Sequence, residues 1–461
     1  MTAVAQHPGA NTRPAQRATR TAAALPATTS TRPESSPQRA AQPHRDRSID
    51  LVRAVLLVIV VALHAFMVGV SNGAEGIVLG NATEGQEWFV PVTWVVQIMP
   101  LFFLIGGFSS ITHWRRMREK GHSSSDYVIS RLQRLVIPGV VLAAVVGIGL
   151  LAMTLAGVPA DIVATAGFRI SQPLWFLGVY ILCSGLVPTM VRLHEWRPVP
   201  SMLALIGLAA AVDVARFATG IDAIGFANLL FVWLAVQQAG FWLADGRFER
   251  IRPRTQLILA GAGLVVLAML TIEGPYSADM LQNLNPPTVT LVALGTTQLF
   301  VFTLIRKPLR HLATVPRVSK TIDVLGAHSM TVYLWHMPVL IMLAGGLLLS
   351  GVELVEPMSQ GWWDSRTLWL AVVGLAVVPV ARVFGRVEKA RFQAPRVGNS
   401  AFSGILSAAA VLLGAGGVLT LLITGISLEG ALIATGLMAA SVGTIVLAQK
   451  RSYAPIPRPT N

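Results

Sequence analysis

The sequence predicts an all-α integral membrane protein, a polytopic helical bundle of about 12 transmembrane helices. Three observations predict it. Of 461 residues, 53% are hydrophobic and only 13% are charged, with a mean hydropathy of +0.62. A soluble domain carries about 25% charged residues, so the apolar surplus must face lipid. The apolar residues also come in stretches near the roughly 20 residues that cross a bilayer as a helix. Finally, Lys and Arg alternate from one side of these stretches to the other.

Twelve stretches qualify: 50–70, 90–112, 134–157, 173–191, 201–219, 224–244, 256–272, 288–305, 326–349, 367–387, 402–425 and 430–447. The fourth is the least regular, interrupted by Gly178 and Pro188. Counting span-edge cations with the nearer side, 32 of the 36 Lys and Arg fall on the two termini and the loops sharing their side. Three fall on the opposite loops, and Arg53 lies within the first span. Cytoplasmic loops hold the Lys and Arg, so both termini are expected in the cytoplasm. The net charge of +14 is then a topology signal and calls for no nucleic acid.

Residues 1–48, rich in Ala, Pro, Thr, Gln and Arg without apolar periodicity, read as a disordered cytoplasmic arm. The tail 449–461 is expected on the same side. The first apolar stretch is too long for a signal h-region and lacks an A-x-A-like cleavage site, so it reads as a retained span. The single cysteine, Cys183, excludes an internal disulfide and a cysteine-built zinc site and reads as packing. Several outer loops are acidic, with Glu75, Glu84 and Glu87, then Glu273 and Asp279, then Glu353, Glu356 and Asp364. None is long enough to be a domain, so the chemistry must lie in or between the spans. Arg outnumbers Lys, 31 to 5, as in GC-rich bacteria, where a helical bundle would sit in the plasma membrane.

Ionisable residues are costly inside spans, so they are candidates for function. Asp50 and Arg53 stand three apart at the cytoplasmic edge of the first span, close enough to pair. The competing reading is interfacial anchoring. His64 follows Arg53 by eleven residues, roughly 20° off one helical face and about 16 Å along the axis. Its competing reading is a packing histidine. The second span carries Gly106 and Gly107, which allow close helix approach. Arg131 and Arg134 share a face at the level of Arg53. Three arginines from separate helices would make a phosphate site. Trp175 opens the fourth span, where an interface anchor is the ordinary role. Tyr333 and His336 share a face in the ninth span, and Pro338 loosens the helix just beyond. Asp213 and Arg216 read as mutually neutralising. Gln97, Asn228, Gln237, Gln238 and Gln298 read as interhelical hydrogen bonds.

Taken in order, these segments resemble the membrane acyltransferase 3 family of bacterial O-acyltransferases. The matching pieces are Asp50-Leu-Val-Arg53 leading to His64, Phe102-Phe-Leu-Ile-Gly-Gly-Phe108, Arg131-Leu-Gln-Arg134 with Pro138, Leu174-Trp-Phe-Leu177, and Ser329-Met-Thr-Val-Tyr-Leu-Trp-His336-Met-Pro338. One departure is Gly106-Gly107-Phe108, where the family often reads Ser-Gly-Phe. The resemblance implies a ten-span core over 49–390, leaving 391–448 as two additional spans.

It also implies an acyl-coenzyme A co-substrate and an acceptor outside the membrane, a sugar, lipid or other envelope molecule. The group moved is expected to be acetyl. Arg53, Arg131 and Arg134, with Asp50, would hold the phosphate-rich head. The pantetheine arm would run about 16 Å along the first helix to His64. His64 would act as general base or be acylated itself. Tyr333 and His336 would orient it or donate to the oxyanion. Trp175 would suit a sugar face. No bound cofactor and no metal are needed. The alternative is a secondary transporter or flippase of an envelope precursor, which twelve spans with inside termini also suit.

Overall fold

The computed structural model describes residues 46–73, 76–350, 355–389, 397 and 400–452. Most of the expected N-terminal arm, the tail from residue 453, Glu75 and Glu353 lie outside the described residues.

The helices are α1 (Arg47–Met67), α2 (Phe89–Val96), α3 (Met99–Glu119), α4 (Ser124–Leu155), α5 (Ala160–Ser171), α6 (Trp175–Trp196), α7 (Pro198–Thr219) and α8 (Asn228–Ala244). They continue as α9 (Pro253–Ile272), α10 (Thr290–Leu312), α11 (Pro316–Ala327), α12 (Ser329–Leu349), α13 (Gln360–Lys389), α14 (Ala401–Thr424) and α15 (Leu428–Ser452). Eleven helical stretches are long and apolar enough to cross a membrane. Their outer faces are apolar: Ile423 is 81% and Leu155 80% exposed, which water would not tolerate over so many helices. The protein is an all-α polytopic membrane protein.

The eighth predicted span, 288–305, is the helix α10, which falls short on composition. Thr296, Thr297 and Gln298 interrupt its apolar run, and Arg306 and Lys307 end it. Thr297 and Gln298 turn inward. Thr297 Oγ1 donates to Ala260 O at 3.4 Å and Gln298 Nε2 to Gln97 O at 2.8 Å. In this way α10 packs against α9 and α3 inside the bundle.

Local chemistry sets the helix ends. Asp46 caps α1, accepting from Ser48 N at 3.0 Å, so the helix begins inside the stretch read as arm. Ser123 and Asp126 form a capping box at α4. The predicted span 90–112 breaks into α2 and α3 at Gln97, whose Nε2 donates to Met280 O at 3.0 Å. A hairpin follows α1: β1 (Val68–Gly73) pairs antiparallel with β2 (Gly76–Asn81), Val70 opposite Leu79. The helices α5 and α11, both 12 residues, are likewise additions to the expected elements.

The core packs where small residues allow it. A Cβ on Gly107 would stand 2.1 Å from Gln237 O, and one on Gly240 2.0 Å from Leu104 O. Backbone therefore meets backbone between α3 and α8, as the paired glycines predict. The hairpin α14–α15 lies against α4 and α6. Asp213 and Arg216 do not neutralise each other. Asp213 accepts from Asn228 Nδ2, Val289 N and Tyr276 Oη at 2.8, 2.8 and 3.0 Å, while Arg216 pairs with Asp222 at 2.8 Å.

Candidate active site

Two histidines meet inside the bundle. His64 stands near the C-terminal end of α1, and His336 on α12 is fully buried. Their ring centroids are 5.0 Å apart, the planes inclined by 56°. His64 Nδ1 lies 2.8 Å from Val60 O, and His336 Nδ1 lies 2.5 Å from Tyr333 O. A carbonyl only accepts, so both Nδ1 atoms carry the hydrogen. Each neutral ring therefore keeps a lone pair on Nε2. His336 Nε2 is buried with no hydrogen-bond partner among the described residues. A buried nitrogen left unsatisfied costs about 1–3 kcal/mol, which marks the pair for chemistry rather than packing.

Tyr333 sits beside them, its ring 6.2 Å from that of His336. Its hydroxyl donates to Pro173 O at 2.6 Å. That single hydrogen is committed, so Tyr333 is not free to donate to an oxyanion. It ties α12 to the turn before α6 and stacks edge-on against Phe176 at 5.2 Å. Pro338 lies within α12 without ending it.

Toward the other end of α1, Arg53 Nη2 donates to Ser109 Oγ on α3 at 2.5 Å. Ser109 Oγ in turn donates to Ile105 O at 3.0 Å. The expected pairing of Arg53 with Asp50 is absent among the described residues. Asp50 is buried and lends its charge to Arg47 one turn back. From α4, Arg131 lies over the Tyr127 ring at 5.5 Å, and that ring is 5.8 Å from His113 on α3. Arg131 and Arg134, with Arg116 and Lys120, supply the positive field at His113. Thus Arg53 and Arg131, from separate helices, both reach the α3 turn Ser109–His113, and Arg134 stands exposed beside them.

Their pairing state separates these arginines from several others. Arg47, Arg115, Arg118, Arg306 and Arg310 are all held in ion pairs. Among the described residues, Arg53, Arg131 and Arg134 have no acidic partner, and Arg131 has the Tyr127 hydroxyl, not a carboxylate, as its polar neighbour. Unspent guanidinium donors converging on one spot suit a phosphate-bearing ligand. Ser109 and Tyr127 carry this arrangement yet stand out weakly in sequence. The one available signal is that Tyr127 precedes Arg131 by four residues, on the same helical face.

Trp175 is placed differently from its expected role. It is 8% exposed and stacks on Trp233 with centroids 5.7 Å apart. Trp233 stacks in turn on Phe103 at 4.4 Å. A neighbouring ring occupies the face that a sugar would need, so Trp175 is core packing. Beside α1 runs an apolar groove of about 460 Å³, lined by Leu57, Val61, Ala65, Val332, Leu370 and Val377. Neither His64 nor His336 lines it.

A family model described as an acyltransferase domain matches residues 46–383. The match includes every residue of the histidine pair and the arginine group. No curated protein and no solved structure matches the chain. The chain belongs to the acyltransferase 3 family, and it is a membrane acyltransferase that moves groups other than amino-acyl groups.

Proposed function

We propose that this protein transfers an acetyl group from cytoplasmic acyl-coenzyme A to a hydroxyl of an extracytoplasmic carbohydrate, glycolipid or related envelope acceptor. Its termini lie in the cytoplasm and its membrane is the bacterial plasma membrane. The carrying observation is the layout of one helix. Arg53 stands toward one end of α1 among cations without acidic partners, and His64 stands eleven residues on, against His336. Their axial separation is about 16 Å. That length suits a pantetheine arm whose phosphate head stays with Arg53, Arg131 and Arg134.

The chemistry assigned to the histidines balances as follows. The acceptor oxygen attacks the thioester carbonyl carbon while Nε2 of His64 takes the hydroxyl proton. The C–S bond breaks, an ester forms, and the departing thiolate recovers that proton from the imidazolium. In the two-step variant, Nε2 attacks first and holds the acyl group until the acceptor takes it. His336, with its own Nε2 lone pair, is the second basic group in reach.

The test uses the full-length protein and His64→Ala, each purified in detergent and given radiolabelled acetyl-coenzyme A with an envelope extract. Thiol release and transferred label in wild type, lost in a folded His64→Ala, are expected. Label retained on the protein selects the two-step route. Thiol release equal in both moves the base to His336. Substrate flux without any thioester turnover, across several acyl donors, overturns the proposal in favour of a transporter.

A further inference from the structure

One further cluster stands at the histidine end of α1. Phe66 lies on α1 two residues beyond His64, and its ring meets Trp362 at 5.1 Å and Trp363 at 5.7 Å. Trp88 meets Trp363 at 5.7 Å. Trp369 Nε1 donates to Ala65 O at 2.9 Å, fixing the first turns of α13 beside His64. Trp88 and Trp363 remain 44% and 42% exposed. They present ring surface from two separate segments at one place.

Arg366 lies among these rings. Its guanidinium sits 4.4 Å over the Trp362 ring and 5.8 Å from that of Trp369. Its Nε donates to Trp362 O at 3.1 Å and its Nη2 to Ser365 Oγ at 3.3 Å. A guanidinium has five N–H donors, so most are unspent. No acid pairs with it among the described residues. Asp364, two residues away, instead accepts from Gln360 Nε2 at 2.9 Å. Arg216 differs in just this respect, being paired with Asp222. An interfacial belt accounts for tryptophans at a membrane edge, but it needs no part-buried cation, without an acidic partner among the described residues, over the Trp362 ring.

From this geometry we infer that Trp88, Trp363 and Arg366 form an acceptor subsite for an anionic sugar unit, its carboxylate or phosphate on the arginine and its C–H face on a tryptophan. The inference rests on the acyl-transfer reading for its role. The cluster packs on Phe66, two residues or about 3 Å of helical rise beyond His64 along α1, so a sugar held there brings a neighbouring hydroxyl toward the histidine pair. The planar fork of Arg366 reads a carboxylate or phosphate oxygen pair, whereas a neutral sugar leaves it unanswered. Acceptor preference would thus be decided by charge at Arg366 and by ring faces at Trp88 and Trp363.

The test measures binding alone, with no acyl donor present, so its outcome is separate from that of the thioester assay. Full-length protein in phosphatidylcholine nanodiscs is titrated with galacturonate hexamer or maltohexaose, following tryptophan fluorescence. The galacturonate is expected to bind about tenfold more tightly, the gain of one charge-assisted contact. Arg366→Gln should erase that preference. Trp363→Ala, at an exposed position, should weaken both sugars. Equal affinity of wild type for the two sugars overturns the inference, as does an unchanged preference in folded Arg366→Gln. It is also overturned if phosphatidylglycerol in the disc produces the same quench through Arg366 and blocks the sugar, since the site then serves a lipid headgroup.

Discussion

His64 and His336 face each other with ring centroids 5.0 Å apart, each Nδ1 hydrogen spent on a carbonyl of its own helix. The arrangement fixes both tautomers and leaves two basic Nε2 atoms in one buried place. Neither histidine needs a carboxylate to orient it, since the helix backbone does so.

The two rings should not be equivalent in kinetics. Replacing His64 by Ala is expected to lower thiol release at least about 100-fold, the ordinary worth of a general base. His336→Ala should cost about tenfold in kcat with the donor KM unchanged, as fits a group acting beside the base. Steady-state kinetics with acetyl-coenzyme A checks both values. A loss in His336→Ala as deep as in His64→Ala would exchange their roles.

The arginine group is expected to act on donor binding. Arg53→Ala and Arg131→Ala should each raise the KM for acetyl-coenzyme A about tenfold, with a smaller change in kcat. Neither should matter with acetyl-pantetheine, which has no phosphate for them to hold. Arg115→Ala is the contrast. That residue is paired with Glu195 and Asp245, so its loss should lower thermal stability and leave the KM alone. Comparing the two donors across the three variants makes the test.

Much of this was legible in the chain itself. Long apolar runs and alternating cations announce a membrane bundle because lipid imposes both. Gly106-Gly107 announces close packing because a Cβ has no room beside Gln237 O. The spacing of Arg53 and His64 follows from helical geometry alone. What the chain conceals is everything that depends on which helices are neighbours. His64 and His336 are 272 residues apart in sequence, and no periodicity brings them together. Trp175 looks like an interface anchor until Trp233 is placed on its face. Tyr333 looks like a free donor until Pro173 O takes its hydrogen. The hairpin at Val68–Asn81 went unread, because its short strands are masked by the apolar run before them.

Gly107 offers a direct test of the α3–α8 contact. Gly107→Ala puts a methyl 2.1 Å from Gln237 O, where backbone must give way. Overpacking of this kind costs roughly 1–3 kcal/mol, against a helix-propensity gain of at most about 1 kcal/mol. The variant should melt several degrees below wild type in detergent. Gly149→Ala, with nothing within 4 Å of the added atom, should melt at or above it. Tryptophan fluorescence during a thermal ramp reads both.

At the N-terminal end of α1, Asp46 joins α1 to α10 and gives the fold an acid limit. It accepts from Arg306 Nη2 and Arg310 Nη2, each at 2.7 Å, and caps its own helix. Arg306, almost fully buried, also pairs with Glu249. Burial alone would raise the Asp46 carboxyl, but hydrogen bonds from Arg310 and Ser48 and the charge of Arg306 outweigh it and hold the carboxyl well below the ordinary range. A depressed folded value means stabilisation that is complete above the unfolded value of about 3.9 and fades as pH falls through the folded one. Asp46→Asn should therefore cost about 1.5–3 kcal/mol at neutral pH, the worth of a charged hydrogen bond. The gap to wild type should stay constant from pH 8 to pH 5 and narrow only in strong acid, where the wild-type carboxyl also carries a proton. Melting curves of both proteins across that range decide it, and a gap that never narrows would assign the stabilisation to the cap geometry instead of the charge.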